Sequence, residues 1–372
     1  MVSTATSTLA FTDEQQQFRE IVARFLSEKN PIARVRTLLD ETPGYDADTW
    51  QALASELGAT GLHVPEALGG AGYGAVELGI VVEEMGRHLY TGPFFASAVM
   101  ACNAVLGAEQ AARAELLPGF ADGSTIGALV LDTLDDPARL GQTLRAGPED
   151  ATIAGVAPIV VGADSANLLI VLARSGDELG LYTVDPGAAA IEPLESLDPT
   201  RPLSRLSFDG APARRIGTFG PGHVSRLWCS LSIFLAHELL GAAEALLYST
   251  VDYMQLRVQF GRAIASFQAL KHRCADLLME VELAKALVHE ASRVLQTGQD
   301  PAEIGHMAKA MASDAAMSAA RAAIQLRGGI GFTWENDTHF YFKRIKSSEV
   351  LFGSPARHRE WLMRELEAGH AE

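Results

Sequence analysis

The feature that most constrains this chain is a helical segment from Val224 to Leu256 that is apolar on most of its sides. Such a helix buries its whole circumference only when other elements surround it, so it is predicted to lie in the middle of a bundle. A second helix is predicted from Phe267 to Gln296. A third begins at Asp300-Pro301 and ends at Gly328-Gly329. The pattern therefore predicts a helical domain over residues 219–372.

The hydrophobic period differs upstream of this domain. Residues 1–122 are predicted to be helical, and Thr12 and Gln15 form a capping box at the start of the first helix. Residues 123–218 contain short runs rich in Val, Ile and Leu, separated by Gly, Pro and Asp, which is typical of a small antiparallel sandwich or barrel. These runs are Thr125–Leu131, Ile159–Val161, Asn167–Ala173, Leu179–Val184 and Arg205–Phe208. An α+β multidomain fold is expected.

Charge and cysteine usage restrict the partners and the compartment. The formal net charge is −16 and the pI is near 5.1, which argues against nucleic acid because that partner requires a basic face. The 3 cysteines are widely spaced, which suits a reducing cytosol better than a disulfide framework. The N-terminus lacks the basic and apolar regions of a signal peptide, and we find no uninterrupted run of ~18 apolar residues. We expect a cytoplasmic protein that binds neither nucleic acid nor membrane.

The histidines give no sign of a metal site. The 10 His residues are scattered along the chain. The sequence contains no H-x-x-x-H and no carboxylate cluster with the spacing of metal ligands. No metal is therefore expected.

Two segments near the C-terminus have the most specific pattern. Tyr253–Asp276 has the form Y-x3-R-V-Q-F-G-R-x-I-x2-F-Q-x3-H-x2-A-D, and Gln325–Thr333 is Q-L-R-G-G-I-G-F-T. Both resemble signatures of the acyl-CoA dehydrogenase family, and the chain is identified as a divergent, actinobacterial-type member. The resemblance covers about residues 12 to 366. In that family both segments lie at the pyrophosphate and adenine of FAD, across a dimer interface.

The residue types in these segments suit a dinucleotide. Arg257 offers a planar fork of donors that matches phosphate oxygens. Gln268 and Gln325 offer amides, and Gly328 and Gly329 let the backbone approach a ligand closely. The alternative is that Arg257 is an ordinary charge at a helix end and that the glycines form a plain C-cap. The resemblance adds four further cofactor-binding residues, which are Gln259, Phe260, Phe267 and Ser354.

Weaker resemblances extend over the rest of the chain. They imply the fold of the family, which has an N-terminal α domain, a small middle β-barrel or sandwich and a C-terminal four-helix bundle. The matching segments are Asp13–Gln15, Gly61–Gly72 (one residue shorter ahead of the Pro), Glu83–Arg87, Leu197–Arg201 and Leu206–Gly210. For these segments a role in the fold alone is favoured over a direct role in catalysis.

Two loops that touch the flavin ring in the family are not intact here. The family's T-E-P-x-x-G-S-D loop corresponds to Leu131–Pro137, and its W-[IL]-[ST] segment corresponds to Ala157–Val161. Neither motif is present. The resemblance therefore does not imply side-chain contacts to the isoalloxazine, whereas it still allows backbone contacts to it.

The catalytic base of the family is also missing from its two usual positions. The reaction removes an α-proton of an acyl thioester, which requires a carboxylate in a dry site that raises its pKa. Many members supply this carboxylate from a C-terminal E-G-T or E-G-S, which is Phe352-Gly353-Ser354 here. Others supply it from the first long bundle helix, at the position of Leu231. Neither Phe352 nor Leu231 can accept a proton.

One acid remains near the second of these positions. Glu238 lies seven residues after Leu231, so it falls on nearly the same helix face about two turns on. Because its surroundings are apolar, desolvation is expected to raise its pKa. Glu238 is therefore the first candidate for the base, and Glu349, just ahead of the Phe352 loop, is the second. The alternatives are that Glu238 pairs with a basic side chain on a neighbouring helix, that a partner subunit supplies the base, or that no base exists.

The resemblance implies FAD-dependent formation of an α,β double bond in an acyl-CoA, with β-hydride transfer to flavin N5. It also implies an electron-transfer flavoprotein as acceptor and a dimer or tetramer, of one chain or with a paralogous subunit. The alternative is a catalytically silent subunit that completes an FAD site in a hetero-oligomer. A third hypothesis is another flavin chemistry on the same fold, such as an oxidase or monooxygenase. The sequence does not define the acyl chain.

Overall fold

The N-terminal helices start at the predicted capping box. In this computed structural model, which describes residues 11–41 and 44–369, Thr12 Oγ1 accepts from the Gln15 N–H at 3.2 Å, and Gln15 Oε1 accepts from the Thr12 N–H at 3.1 Å. The extreme N-terminus, on which the expectation of no signal peptide rests, lies outside the described residues. The elements here are α1 (Asp13–Lys29), α2 (Ile32–Leu38), α3 (Ala47–Ser55), α4 (Ala75–Arg87), a π-helical segment (Phe95–Ala101), α5 (Cys102–Leu106) and α6 (Gln110–Ala121).

The middle of the chain forms a seven-stranded β domain. The strands are β1 (Gly127–Val130), β2 (Arg145–Ala146), β3 (Thr152–Val161), β4 (Leu168–Ser175), β5 (Glu178–Val184), β6 (Ala190–Leu194) and β7 (Leu203–Phe219). The pairing β4-β2-β3-β7-β5 returns to β4, which closes a small barrel, and β1 and β6 extend it at β4 and β7. The barrel prediction is confirmed. The expectation of an all-antiparallel sheet is wrong, because β1 and β2 run parallel to β4.

The C-terminal part is a helical bundle around one central helix. Its elements are α7 (Pro221–Leu256), the hairpin β8 (Val258–Gln259) and β9 (Arg262–Ala263), α8 (Gln268–Gln296), α9 (Ala302–Arg327), α10 (Thr338–Val350) and α11 (Pro355–Gly369). α7 packs against α4, α8, α9 and α10, which confirms its central position. By length and composition α7 qualifies as a membrane span, but 94% of its apolar window is buried inside the protein, as in the core helix of a bundle.

The N-terminal domain is attached to the bundle where α4 crosses α7. An added Cβ at Gly86 would lie 2.1 Å from the backbone oxygen of Glu238, and one at Gly241 would lie 1.8 Å from the backbone oxygen of Glu83. The two backbones are therefore in direct contact, which only glycine permits at these positions. This crossing holds two buried carboxylates, Glu83 and Glu238, between the domains.

The C-terminal ends of α7 and α9 also meet. The Tyr253 hydroxyl donates to the backbone oxygen of Arg327 at 3.4 Å. The Arg327 guanidinium donates to Ser249 Oγ at 2.9 Å and also bonds Thr250 Oγ1. These bonds bring the two signature segments, which are distant in sequence, to one end of the bundle.

Candidate functional site

The first signature segment forms an exposed hairpin at the end of α7. Arg257 caps α7, and its backbone oxygen accepts from the Ile264 N–H at 2.8 Å. Phe260 occupies the turn with a positive φ of 52° and is 90% exposed. Its ring meets that of Phe267 edge-on, at 6.2 Å between centroids. A residue with a strained backbone and a solvent-exposed aromatic side chain indicates a surface that another molecule covers.

The charged and amide groups of this hairpin are available to a ligand. The Arg257 guanidinium makes no hydrogen bond or ion pair with any residue in 11–41 or 44–369. Gln259 is exposed on β8. Gln268 begins α8 and its side-chain nitrogen lies 3.0 Å from His272 Nε2. Arg262, in contrast, stacks on Phe267 at 4.1 Å. Arg257 is thus the free guanidinium of the hairpin.

The second signature segment lies beside the first and leaves its backbone open. Gly328 has a φ of 64°, and an added Cβ on Gly328 or Gly329 would meet nothing within 4 Å. Gln325 is exposed and lines a cavity of about 600 Å³ with Phe332 and Trp334. The open glycine backbone and the free Arg257 fit a pyrophosphate, which needs close backbone approach and a positive charge.

Ser354 lies at the other end of the bundle from these residues. It precedes α11, where its Oγ accepts from the Arg357 N–H at 3.4 Å. The adjoining Gly353 is held by Lys309, whereas Gly328 ends α9. At about 1.5 Å per residue, Lys309 and Gly328 are roughly 28 Å apart along α9. One chain therefore does not bring all its predicted FAD residues to one place.

The two positions at which relatives hold a base are enclosed by apolar side chains. Phe352 is fully buried, and Trp228 meets its ring edge-on at 5.3 Å. Leu231 is also fully buried and lines a cavity of only about 10 Å³ with Leu131 and Trp228. Ligand pockets generally measure about 300–1,000 Å³. Among the described residues, no carboxylate lines this small cavity.

Glu238 is held in a buried ion-pair network. Its Oε1 bonds Arg201 and accepts from Ser348 Oγ at 2.6 Å, and its Oε2 lies 3.3 Å from Arg344 Nη1. Arg344 also bonds Asp198 at 3.1 Å. These contacts are those expected from the alternative in which Glu238 pairs with a basic residue, since Arg344 lies on α10.

This network corrects the expected pKa of Glu238. Desolvation by itself raises the pKa of a buried carboxyl, but the guanidinium groups of Arg201 and Arg344 and the Ser348 hydroxyl together lower it below its ordinary value. The expectation of a raised pKa is therefore wrong. The apolar pattern of α7 gave no indication of these contacts, because both arginines come from other parts of the chain.

Glu349 is likewise engaged. Its Oε2 accepts from Lys346 Nζ at 2.6 Å, and its backbone oxygen accepts from Lys309 Nζ at 3.1 Å. Lys309 is fully buried, and this burial lowers the pKa of its ammonium to about 7. Lys309 also reaches the Gly353 oxygen at 3.4 Å. It thereby fixes the loop that follows Phe352.

Lys309 predicts a specific pH dependence of stability. Its folded pKa of about 7 lies below its ordinary value of 10.5, so the folded chain binds fewer protons than the unfolded chain between these values. Stability should therefore rise with pH in this window, by up to about 1.4 kcal/mol per unit. Lys309→Met removes the titrating group. Urea unfolding of both proteins should show that the free energy of unfolding of the wild type rises relative to that of Lys309→Met between pH 7 and 10. A difference in free energy that stays constant with pH would contradict the assignment.

One buried group of residues of metal-ligand type, which the sequence spacing did not indicate, is formed in the fold. Ligand atoms of Glu83, His237 and His289 lie within 4.8 Å of one another and all three residues are buried. Both imidazoles face Glu83 Oε2, at 3.3 and 2.9 Å, while Arg19 lies 3.1 Å from Oε1. A guanidinium next to the carboxylate opposes a bound cation. The cluster instead ties α4 to α7 and α8 through hydrogen bonds.

Several residues of this region were not singled out from the sequence. They are Trp228 and Lys309, which contact the Phe352 loop, and Arg201 and Arg344, which bond Glu238. A buried Lys in an alanine-rich helix and an Arg in the matched Leu197–Arg201 segment were the available signals. Charged residues are seldom buried without a partner. The Lys and the Arg therefore each predicted a contact, but the sequence did not identify the partner.

Two family models match this chain, one in its N-terminal and one in its C-terminal part. The family model described as acyl-CoA dehydrogenase, N-terminal domain, matches residues 12–124. The model described as acyl-CoA dehydrogenase, C-terminal domain, matches residues 233–367. The chain is 37% identical to acyl-CoA dehydrogenase IpdE2 of Mycobacterium tuberculosis, over 92% of this chain and 94% of the relative. It is 32% identical to IpdE2 of Mycolicibacterium smegmatis, over 96% and 99% of the two chains.

Solved structures share the same fold. The steroid ACAD Tcur3481-Tcur3483 superposes with a TM-score of 0.87 at 26% identity, covering 98% of this chain and 100% of that one. Butyryl-CoA dehydrogenase from Megasphaera elsdenii gives a TM-score of 0.85 at 24% identity, covering 96% and 99%. The second comparison supports the three-part architecture alone.

Proposed function

We propose a function from one premise: the chain belongs to the acyl-CoA dehydrogenase family, to which its N- and C-terminal parts both match. It is a flavoprotein oxidoreductase that acts on acyl-CoA, with FAD as its cofactor. The proposed reaction is α,β-desaturation of the acyl thioester. The proposed role of this chain is that of a subunit that completes FAD sites in a hetero-oligomer without supplying the base. The observation that carries this role is the apolar enclosure of both base positions, Leu231 and Phe352.

The chain contributes two separate surfaces to FAD. FAD, when bound, accepts the β-hydride at N5. The free guanidinium of Arg257 and the open backbone at Gly328 and Gly329 suit the pyrophosphate. Ser354 is too far from them to serve the same molecule, by the helix length estimated above. Each FAD site would then combine residues of two chains.

The exposed apolar surface supports an oligomer of this kind. Large apolar side chains are more than 40% exposed on α8 and around both signature segments. They are Leu256, Val258, Phe260, Leu278, Met279, Leu283, Ile330, Phe332 and Trp334. Soluble monomers rarely leave extended apolar patches uncovered, so this surface favours a dimer or a larger assembly.

The side chains at the base positions favour a partner of a different sequence. A homo-oligomer would repeat the buried Leu231 and Phe352, neither of which accepts a proton, in every subunit. A paralogous subunit with a carboxylate at either position would provide the missing proton acceptor. The similar protein Tcur3481-Tcur3483, named as a pair, is in line with such an arrangement. We propose an electron-transfer flavoprotein as acceptor and the cytoplasm as compartment.

Flavin reduction by the chain, alone and with such a partner, tests this proposal. The purified chain with FAD should sediment as more than a monomer, and a panel of acyl-CoAs should leave its flavin absorbance oxidised. After co-expression with a paralogous subunit that carries Glu at the position of Phe352 or Leu231, the same panel should bleach the flavin at least ~100-fold faster, the lower end of what a positioned base contributes. The measurement is single-turnover anaerobic absorbance.

The partner subunit without this chain is the control, and it should bind FAD poorly. Rapid bleaching by the isolated chain would locate the base within it. Consumption of O2 by a flavin that no acyl-CoA reduces, or flavin reduction by a reductase partner, would favour the oxidase or monooxygenase hypothesis instead.

The second candidate function keeps Glu238 as the base in a homo-oligomer. It is the remaining carboxylate of α7 on the face of Leu231. Its contacts favour an anchoring role, since both carboxylate oxygens are already engaged by Arg201, Arg344 and Ser348. A free base would have to break these ion pairs in each turnover.

A further inference from the structure

A chain of hydrogen bonds runs from the Phe352 loop to a histidine in a large cavity. His358 Nε2 lies 3.0 Å from the Phe352 backbone oxygen, and His358 Nδ1 lies 3.0 Å from His306 Nδ1. His358 is fully buried and His306 is 8% exposed. His306 lines a cavity of about 660 Å³ between the β domain and the bundle.

This chain of bonds fixes the tautomer of both imidazoles. A carbonyl oxygen only accepts, so His358 Nε2 carries the proton and its Nδ1 offers a lone pair. His306 Nδ1 must then donate, which leaves His306 Nε2 without a proton. Burial lowers the pKa of His358 to about 2 and that of His306 to about 4, so both rings are neutral at ordinary pH. His306 is therefore a permanent acceptor.

The acceptor nitrogen has no partner within the described chain. His306 Nε2 makes no hydrogen bond to any residue in 11–41 or 44–369. Trp361 lies 5.5 Å from the His306 ring, and Trp228 lines the same cavity. An acceptor with a fixed orientation in a cavity with aromatic lining is typical of a site that orients a ligand through one polar contact.

The charges around the cavity restrict the part of a ligand that fits. Carboxylates outnumber guanidiniums among the lining residues, which are Asp136, Asp177, Glu178, Glu365, Arg174 and Arg364. Arg174 is moreover occupied by the backbone oxygens of Leu140 and Gly141, at 3.1 and 3.2 Å. A net negative lining disfavours phosphates and suits an uncharged segment that carries N–H or O–H donors.

We propose that His306 Nε2 accepts a hydrogen bond from an amide N–H of the pantetheine arm of an acyl-CoA. This inference rests on the proposed function, because that function supplies a ligand with an uncharged arm bearing two amides. His306 is thus a binding residue, and His358 is the positioning residue that keeps its Nε2 unprotonated.

The first test reads the tautomer directly. Neutron diffraction from deuterated crystals of the full chain with FAD should place a deuterium on His306 Nδ1 and none on Nε2. A deuterium on Nε2 would overturn the proposal. This result does not depend on whether the protein reduces flavin, so it separates this inference from the proposed function.

The second test couples the residue to the ligand. S-methylpantetheine should bind the wild-type protein about tenfold more tightly than its analogue with ester oxygens in place of both amide N–H groups, which is the range of one hydrogen bond. His306→Phe should abolish that preference, whereas His306→Gln, which retains an acceptor, should preserve most of it. Calorimetry measures all the affinities.

His223→Phe is the matched control, because His223 is exposed and lines a different cavity of about 350 Å³. It should keep the tenfold preference. If His306→Phe fails to fold, the amide-to-ester comparison on wild-type protein and on His306→Gln still decides. Equal binding of the amide and the ester by the wild type, or no binding of S-methylpantetheine, would refute the proposal.

Discussion

Replacing Arg257 with Ala should weaken FAD binding by about 10- to 100-fold, without loss of folded protein. The guanidinium is exposed and forms no ion pair with the described residues, so its removal costs the fold nothing. A charge-assisted bond to phosphate is generally stronger than a neutral one, and its loss corresponds to that range of affinity. Arg257→Lys keeps the charge without the planar fork and should be intermediate. Flavin fluorescence gives the dissociation constants.

Arg24→Ala is the matched control, because Arg24 is an exposed arginine on α1, away from the hairpin. It should bind FAD as the wild type does. The measurement belongs in the oligomer that the chain forms, because each FAD site is proposed to use two chains. Equal FAD affinity in Arg257→Ala and the wild type would refute the assignment of the signature segment.

Glu238→Gln should destabilise the fold by about 3 kcal/mol and leave the chemistry of the assembled enzyme unchanged. The substitution removes the charge that Arg201 and Arg344 share in a buried site. Breaking a buried ion pair on one side costs about 3–5 kcal/mol, because a charge is left uncompensated. Because the folded pKa of Glu238 is lowered, its contribution is present above 4.5 and is lost as the pH falls. Urea unfolding of the variant and the wild type at pH 7 and at pH 4 measures the loss of stability and its dependence on pH.

Two further variants sharpen this prediction. The double substitution Glu238→Met with Arg201→Met removes both charges and should recover most of the lost stability. Asp314→Asn breaks the half-exposed pair with Arg359 and should cost at most about 1 kcal/mol. If Glu238→Gln instead slows flavin reduction in the oligomer at least ~100-fold while the protein stays folded, Glu238 is the base and the anchoring role fails.

Arg344 explains why this network is placed where the three domains meet. From α10 it bonds Asp198 and Thr200 in the loop between β6 and β7, the backbone oxygen of Tyr90 in the N-terminal domain, and Glu238 in α7. One planar guanidinium with five donors can make such bonds simultaneously. Glu238, the carboxylate that the sequence indicated as a candidate base, therefore lies where the three domains meet.

The sequence determined the features that depend on neighbouring residues. The capping box at Thr12, the change of period from helix to strand and back, and the apolar circumference of α7 each arise within a few turns or strands. They predicted the three-part fold. The two signature segments were equally local, and their resemblance to the family implied a phosphate-binding surface, which stays a prediction.

Only the tertiary structure decided what the buried charged residues do. Glu238 meets Arg201, Arg344 and Ser348 across long stretches of chain, and its pKa falls where the local pattern of α7 predicted a rise. His306 acquires its tautomer from His358, which in turn depends on a backbone oxygen. Electrostatic energy depends on distance in space and on burial, and neither quantity is a function of separation along the sequence. Periodicity identifies which face of a helix is buried, but the groups that meet that face come from elsewhere in the fold.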